Sequence, residues 1–362
     1  MSKKKRSPSP EANNKKSRIN YEDESLDQLQ TYFEEGTQDG YEYQHLDIEI
    51  TSIDDLIKLG KMYNYKKKIK YNIDIKTLHN LINPLEELKN LIGMELVKQT
   101  VVEQIIYYLQ DIDDVYNDML HSVIEGPPGV GKTELAKILA KIYKQLGILS
   151  TNKFKSVKRS DLIGGFLGQT AIKTQQILDE TYGGVLFIDE AYSLGNPDGR
   201  DSYSKECIDT ITAHLSECKN NFICIIAGYK ESLKTCFFKY NEGLERRFPY
   251  RFTIEPYSPK DLRQIFFKIV YKNYWYIKDE KTIPISFFDN NKDYFLFNGG
   301  DMELLFHKCK ISHCKRVFTY PKKDKKNLTF EDIKTGLETL LLNEDIKNRK
   351  KLTSYKFLNI YT

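Results

Sequence analysis

The 362-residue sequence predicts an α/β fold: a parallel sheet with helices on both faces, a small helical domain after it and a short α+β segment before it. Three observations carry that prediction. A glycine-rich stretch, Gly126-Pro127-Pro128-Gly129-Val130-Gly131-Lys132-Thr133, lies between a strand pattern and a helix pattern. Strand and helix patterns then alternate to about residue 256. From Ser258 to about Leu342 the periodicity is mostly helical.

Residues 1–20 are Lys, Ser, Pro and Asn with almost no apolar content, so a disordered basic tail is expected. Its clusters Lys3–Arg6 and Lys15–Arg18 flank a Ser-Pro repeat. That pattern fits a two-part nuclear localisation signal, a polyanion-binding arm or a solvated tail. Residues 21–84 read as an N-terminal α+β appendage without a motif. An acidic stretch over Tyr21–Glu35 precedes alternating Leu46, Ile48 and Ile50, and then Leu56, Ile57, Leu59 and Met62 at helical spacing. Residues 85–256 form the expected α/β domain. Leu85, Leu88, Leu91 and Ile92 lead into an amphipathic helix over Glu95–Leu109. Strands follow at His121–Glu125, Lys155–Val157, Val185–Ile188, Phe222–Ala227 and Tyr250–Ile254, with helices between them. Residues 257–345 are the expected helical domain and 346–362 a C-terminal tail.

Composition narrows the function classes. The net charge is +4, but residues 1–18 hold seven basic side chains against Glu11, which leaves −2 for the remainder. That near-neutral remainder argues against nucleic acid as the partner of the core. No apolar run is long enough to cross a membrane, and the N-terminus lacks a secretory pattern. Six cysteines without a framework spacing complete the expectation of an intracellular protein, cytoplasmic or nuclear, with reduced thiols.

The glycine-rich stretch fits G-x-x-x-x-G-K-[ST] at every fixed position. Glycines let the backbone wrap tightly and point its N–H groups into one concavity. The helix starting there adds the positive end of its dipole. Leu135, Ile138, Leu139, Ile142 and Leu146 supply that helix's apolar stripe. Lys132 is spaced to reach the β- and γ-phosphates of ATP, and the Thr133 hydroxyl to ligate Mg²⁺.

Val185-Leu186-Phe187-Ile188 is a continuous apolar run, the mark of a strand buried on both faces, and it ends in Asp189-Glu190. Ligands of open α/β sheets gather at the carboxyl ends of the strands. Alone, the two acids would read as a solvated pair. With the loop upstream, Asp189 is expected to hold Mg²⁺ and Glu190 to activate the attacking water.

Four stretches then carry a family resemblance. They are Leu162-Ile163-Gly164-Gly165-Phe166-Leu167-Gly168-Gln169-Thr170-Ala171, Gly183 to Leu194 (G-G-V-L-F-I-D-E-A-Y-S-L), Ala227-Gly228-Tyr229 and Arg246-Arg247-Phe248-Pro249. Over about residues 85–345 the chain resembles the CbxX/CfqX family of AAA+ ATPases, which includes the red-type Rubisco activases and a sporulation protein. The resemblance implies a P-loop NTPase of AAA+ type, with the helical domain as its lid. It also implies a homo-oligomeric ring, most commonly a hexamer, with ATP at subunit boundaries and chaperone-like action on a protein substrate. Ile92 matches the position that lines the adenine. Phe166, Leu167 and Gly168 match a pore loop that grips a polypeptide. Arg247 matches the arginine finger that reaches a neighbour's γ-phosphate, and Arg246 beside it could share that role. The N-terminal part has no such match.

The chain departs from the family in its lid. Where relatives commonly read G-N-A-R-x-V-R, it reads Phe297-Asn298-Gly299-Gly300-Asp301-Met302-Glu303, so Gly300 and Glu303 occupy the two arginine positions. A basic sensor is missing there unless Lys308 or Lys310 substitutes. Nearby, His307, Cys309, His313 and Cys314 invite a zinc reading. On one helix these four cannot all converge on a tetrahedral ion, so buried thiols and a satisfied histidine are expected instead.

These observations favour an AAA+ ATPase that remodels a protein substrate. The missing lid arginine motivates an alternative, a nucleotide-switched scaffold with little turnover. The basic tail motivates another, a nucleic-acid-acting AAA+ protein.

Overall fold

The computed structural model describes residues 30–33, 42–110, 119–166, 168–196, 201–217, 221–241, 243–321 and 325–350. The basic tail, Leu167 of the pore-loop match and residues 351–362 lie outside the described residues.

The N-terminal part is a three-stranded sheet with two helices. β1 (Gln30–Phe33) pairs antiparallel with β2 (Glu42–Asp47), which pairs parallel with β3 (Ile69–Tyr71). α1 (Ile53–Lys61) lies between β2 and β3, and α2 (Ile75–Lys89) follows β3. A capping box opens α1: Ser52 Oγ accepts from Asp55 N–H, and the Asp55 carboxylate accepts from Ser52 N–H at 3.0 Å. The alternation Leu46, Ile48, Ile50 is only partly strand, because β2 ends at Asp47.

The boundary expected at 84/85 falls inside α2. Pro84 is buried within that helix without ending it. Proline there removes one N–H donor to the carbonyl four residues back, and the packing of Leu81, Leu85 and Leu88 outweighs the loss. These leucines share one core with Leu135, Leu139 and Ile142, so the appendage and the nucleotide domain bury a common apolar surface. Lys141 Nζ lies 2.6 Å from a Glu87 carboxylate oxygen across that contact.

After α3 (Glu95–Leu109) the expected alternation runs its course. It comprises β4 (Ser122–Glu125), α4 (Lys132–Gln145), β5 (Phe154–Val157), α5 (Arg159–Leu162), α6 (Gln169–Glu180), β6 (Val185–Ile188), α7 (Ser202–Glu217), β7 (Ile223–Gly228), α8 (Lys230–Ser232) and β8 (Tyr250–Thr253). The sheet order is β5-β6-β7-β4-β8, parallel throughout. β4, β6 and β7 are buried at every position, as central strands covered on both faces are, although β4 carries the polar Ser122 and Glu125. Register pairs Glu125 with Gly228 and Thr253, which brings the carboxyl ends of β7 and β8 beside the start of the glycine loop.

The helical domain comprises α9 (Pro259–Lys272), β9 (Tyr276–Ile277), α10 (Ile285–Asn290), α11 (Gly299–Arg316), β10 (Asn327–Leu328) and α12 (Phe330–Leu341). Leu262, Phe266, Phe288, Leu305 and Ile333 form its own core. Ile346 joins that core, and Arg349 Nη1 bonds Asp301 Oδ1 at 2.9 Å and Tyr294 O at 2.8 Å. Residues 346–350 therefore pack with the helical domain, where a tail was expected. Among the described residues, no helix is long and apolar enough to cross a membrane.

Candidate nucleotide site

β4 delivers the chain into the glycine loop at the carboxyl edge of the sheet. Gly129 and Gly131 hold φ of +72° and +89°, the left-handed region that glycine enters without steric cost. A Cβ at Gly129 would stand 2.0 Å from Phe297 O, so the loop also lacks room for a side chain. Gly126 N–H donates to Gly228 O at 3.2 Å and ties the loop to the end of β7. Lys132 Nζ donates to Gly126 O at 2.9 Å and Pro127 O at 2.7 Å, and lies 5.5 Å from the Tyr229 ring centroid. Burial lowers the lysine's pKa, while the charges of Asp189 and Glu190 pull it back up.

Two strands away, β6 ends in half-buried Asp189 and exposed Glu190. Glu190 adopts φ 51°, ψ 45°, a left-handed conformation that costs a non-glycine residue about 1–2 kcal/mol. Its N–H donates to Asp189 Oδ1 at 3.1 Å. The strained turn holds the two carboxylates at the sheet edge, facing the loop. Tyr192 hydrogen-bonds Glu190, and burial, followed by the Glu190 charge, pushes its phenol up to about 12. Its ring lies 5.5 Å from that of Tyr229.

The helical domain closes directly on the loop. Tyr257 Oη donates to Val130 O at 2.7 Å, Asn298 Nδ2 to Pro128 O at 3.1 Å, and Gly299 N–H to Gly129 O at 3.0 Å. Burial raises the Tyr257 phenol to about 12, which keeps it a donor. Three loop carbonyls are thus satisfied from the lid, leaving loop amides for an anion. Sequence reasoning missed Tyr257 and Asn298. The run Asn298-Gly299-Gly300, turn formers at the head of a helical pattern, was the available signal for Asn298.

Between sheet and lid lies a cleft of about 540 Å³. Its apolar lining is Leu91, Ile92, Met94, Ile265 and Ile269, and its polar lining includes Lys132, Thr133, Asp189 and Glu190. Apolar side chains beside an amide-lined, lysine-bearing loop fit a nucleotide, the former for its base and the latter for its phosphates. The Thr133 hydroxyl and Asp189 carboxylate are hard oxygen donors of the kind Mg²⁺ takes.

Gly300 and Glu303 both line the cleft, so the two altered lid positions do face it. Lys308 and Lys310 do not, and Lys310 Nζ lies 4.7 Å from the Phe306 ring centroid. The lid lysine that reaches the cleft is Lys268, whose Nζ donates to Asn90 O at 3.0 Å. No arginine lines the cleft among the described residues.

Two expected groups lie away from it. Arg247, in the 3₁₀ turn Glu245–Arg247, donates from Nε to Ser216 Oγ at 2.8 Å and from Nη1 to Gly243 O at 2.6 Å, while Arg246 is exposed. Phe166 sits 72% exposed in the turn before α6, and Gly168 holds φ +79° at its start. In the lid, His313 spends both ring nitrogens, Nδ1 3.0 Å from Asp332 Oδ2 and Nε2 2.9 Å from Lys325 O. Cys309 is buried, whereas His307 and Cys314 are exposed.

A parallel sheet with a phosphate-type loop at one strand end, an acidic pair at another and a helical lid on the loop define a P-loop ATPase of the AAA+ class. Residues 122–255 match the ATPase family associated with various cellular activities (AAA). The chain is 41% identical over 295 residues to a cfxQ-like protein of Acanthamoeba polyphaga mimivirus, covering 81% of this chain and 73% of that one. It is 33% identical to stage V sporulation protein K of Bacillus subtilis, over 56% of this chain and 64% of the relative. It is 40% identical to the ESX-1 secretion system protein EccA1 of Mycobacterium tuberculosis, over 40% of this chain and 26% of that one. The fold is also that of the solved FIGL-1 AAA domain in complex with ADP: TM-score 0.51, 18% identity, 69% of this chain and 82% of that one. The chain belongs to the CbxX/CfqX-type AAA+ ATPases; it binds nucleotide and hydrolyses ATP.

Proposed function

We propose that this ATPase works as a homo-oligomeric ring, with ATP at subunit boundaries, and spends turnover on remodelling a protein substrate. One observation carries the reading. Among the described residues, the cleft is lined by two lysines, Lys132 and Lys268, and four acids but no arginine, while Arg247 sits in a turn outside it, bonded to Ser216 and Gly243. A γ-phosphate there would lack the guanidinium that stabilises phosphoryl transfer unless a neighbouring subunit supplied it.

The residue roles follow from chemistry. Loop amides from Gly129 to Lys132 hold the phosphates, with Lys132 Nζ exchanging its two carbonyl partners for phosphate oxygens. Thr133 and Asp189 would hold Mg²⁺, which supplies charge neutralisation when bound. Glu190 orients the attacking water and takes its proton. Ile92 packs on the base. Arg247 leaves Ser216 and Gly243 to reach the neighbour's site. Exposed Phe166, with Leu167 and Gly168, grips an extended polypeptide in the channel.

The test is Glu190→Gln. It should still bind ATP, lose turnover by at least about 100-fold, and accumulate as ATP-bound oligomers. Turnover at the wild-type rate would sink the mechanism. A second reading, a nucleotide-switched scaffold, rests on Glu303 presenting a carboxylate to the cleft where a lid arginine is usual. Turnover that climbs with protein concentration and collapses in Arg247→Ala would exclude it.

A further inference from the structure

A second cavity, about 490 Å³, borders the acid pair: Asp189 and Glu190 line both it and the nucleotide cleft. The rest of its lining comes from the chain after β5 (Lys158, Arg159, Ser160 and Ile163) and from Ser193. The segment that follows β5 therefore packs beside the turn that follows β6. Two hydrogen bonds join them, one before Glu190 in the sequence and one after it. Val157 O, at the end of β5, accepts from Asp189 N–H at 3.1 Å. Arg159, two residues further on and half-buried, donates from Nη1 to Ser193 O at 2.8 Å.

The same guanidinium is anchored on the start of α7. Nη1 also donates to Ser204 Oγ at 2.9 Å, and Nη2 donates to Asp201 Oδ2 at 2.6 Å. Both partners are themselves fixed. Ser204 is fully buried and donates from Oγ to Asp201 Oδ2 at 2.7 Å, and Asp201 Oδ1 accepts from Tyr203 N–H at 3.0 Å. Burial raises the Asp201 carboxyl, but the bonds from Ser204 and Arg159 outweigh it and bring its pKa down to about 2. A planar fork on a fixed anion is a rigid donor, and it is aimed at the Ser193 carbonyl. Ser193 passes the restraint on, because its N–H donates to Glu190 O at 2.7 Å. Glu190 needs such a restraint. Its φ of 51° is one that a non-glycine residue keeps only where its surroundings over-determine it.

We propose that Arg159 is a positioning residue for ATP hydrolysis: by fixing the Ser193 carbonyl it holds the turn that aims the Glu190 carboxylate at the attacking water. This role rests on Glu190 being the group that activates that water. Without the guanidinium, the turn is free to relax and the carboxylate leaves its line of attack. The glycine loop and Lys132 do not touch Arg159, so the grip on the phosphates stays. The loss therefore falls on kcat and not on ATP affinity, the pattern of an interaction that matters only in the transition state. A purely structural arginine would lower stability and leave that ratio alone.

The experiment uses the full chain, with steady-state ATP turnover and the affinity for a fluorescent ATP analogue measured side by side. Arg159→Met should lower kcat about tenfold to 100-fold, the order expected when a catalytic group is misplaced by about 1 Å. KM and analogue affinity should stay within about twofold of wild type. Arg159→Lys should recover part of the loss, since an ammonium can still donate to the Ser193 carbonyl. In the Glu190→Gln background, adding Arg159→Met should change the residual turnover by less than about twofold, because the group it positions is already gone. If Arg159→Met does not fold, Asp201→Asn replaces it. That variant keeps a side-chain acceptor at the start of α7 but removes the anion that anchors the guanidinium, and it should lower kcat in the same way by less. Wild-type kcat in Arg159→Met, or in Asp201→Asn where that stands in, would overturn the role of Arg159. So would a fall in ATP affinity as large as the fall in kcat, or an equal fall in turnover with and without Glu190. The two readings fail separately: wild-type turnover in Glu190→Gln removes Glu190 as the base, whereas an inactive Glu190→Gln beside a fully active Arg159→Met removes Arg159 alone.

Discussion

Arg251 Nη1 lies 2.8 Å from Oε1 of Glu125, the residue directly before the glycine loop, whose side chain is only 3% exposed. The same guanidinium reaches Glu245 Oε1 through Nη2 at 2.7 Å and stacks over Phe238 at 5.1 Å. Glu245 begins the turn that carries Arg247. One cation therefore ties the strand that feeds the phosphate loop to the turn that bears the candidate finger.

Removing that cation strands a buried carboxylate. Arg251→Met should cost about 3 kcal/mol of stability in urea unfolding. The double variant Glu125→Gln with Arg251→Met should recover much of it, because the uncompensated charge is then gone. Recovery of nothing would mean that Arg251 acts through its stacking on Phe238 instead.

Glu303 presents a negative charge to the cleft that is to receive phosphates. Glu303→Gln should tighten nucleotide binding by about threefold to tenfold, the order expected for one like-charge repulsion at partly screened range. Lys268→Ala should weaken it by a similar factor. Titration with a fluorescent ATP analogue measures both, with Lys132→Ala as the non-binding reference. No change in Glu303→Gln would show that its carboxylate turns away from the phosphates.

Gly129 is where loop and lid meet. Gly129→Ala adds a left-handed strain of about 1–2 kcal/mol and a Cβ that collides with Phe297 O. The lid should therefore lift, seen as faster amide hydrogen exchange at Gly299 and Gly300. Gly147→Ala separates the two effects, since Gly147 has φ +82° but open space around it. Equal exchange in both variants would reduce the Gly129 effect to backbone strain.

His121 gives the fold a pH dependence. It is fully buried before β4, with Nδ1 accepting from Cys224 N–H at 3.1 Å. Burial first, with the nearby charges of His214 and Arg247, lowers its pKa to about 4. The unfolded chain binds this proton near pH 6.5 and the folded chain only near 4. The stability from neutral His121 is thus present above about pH 6.5 and lost as pH falls to 4, on the order of 3 kcal/mol. His121→Asn, which keeps an acceptor for Cys224, should flatten denaturant midpoints over that window. An unchanged pH profile would exclude His121 as the cause.

The central sheet was legible because its chemistry is local. Val185–Ile188 is apolar at every position, as a strand buried on both faces must be, and the strand appears with those bounds. The glycine loop was legible because its backbone conformation demands glycine at fixed spacing. The N-terminal part was less so. β3 is only three residues long, and Pro84 reads as a break although packing carries α2 through it. Tyr257 and Asn298 escaped notice because a single bond to a loop carbonyl leaves no periodic trace.

By itself, then, the sequence determined the parallel sheet, the loop at Gly126–Thr133, the acid pair at Asp189-Glu190 and a helical lid. Each is written in a period or a spacing within one stretch of chain. Only the tertiary structure decided which lid residues face the cleft, namely Glu303, Gly300 and Lys268, with Lys308 and Lys310 excluded. It also decided that Tyr43 lines one cavity with Tyr63, Tyr65 and Tyr71, and that Arg251 joins Glu125 to Glu245. Those are relations between residues far apart in the chain. They depend on how helices and strands rotate and dock, which is settled by burial summed over the whole core rather than by any local pattern.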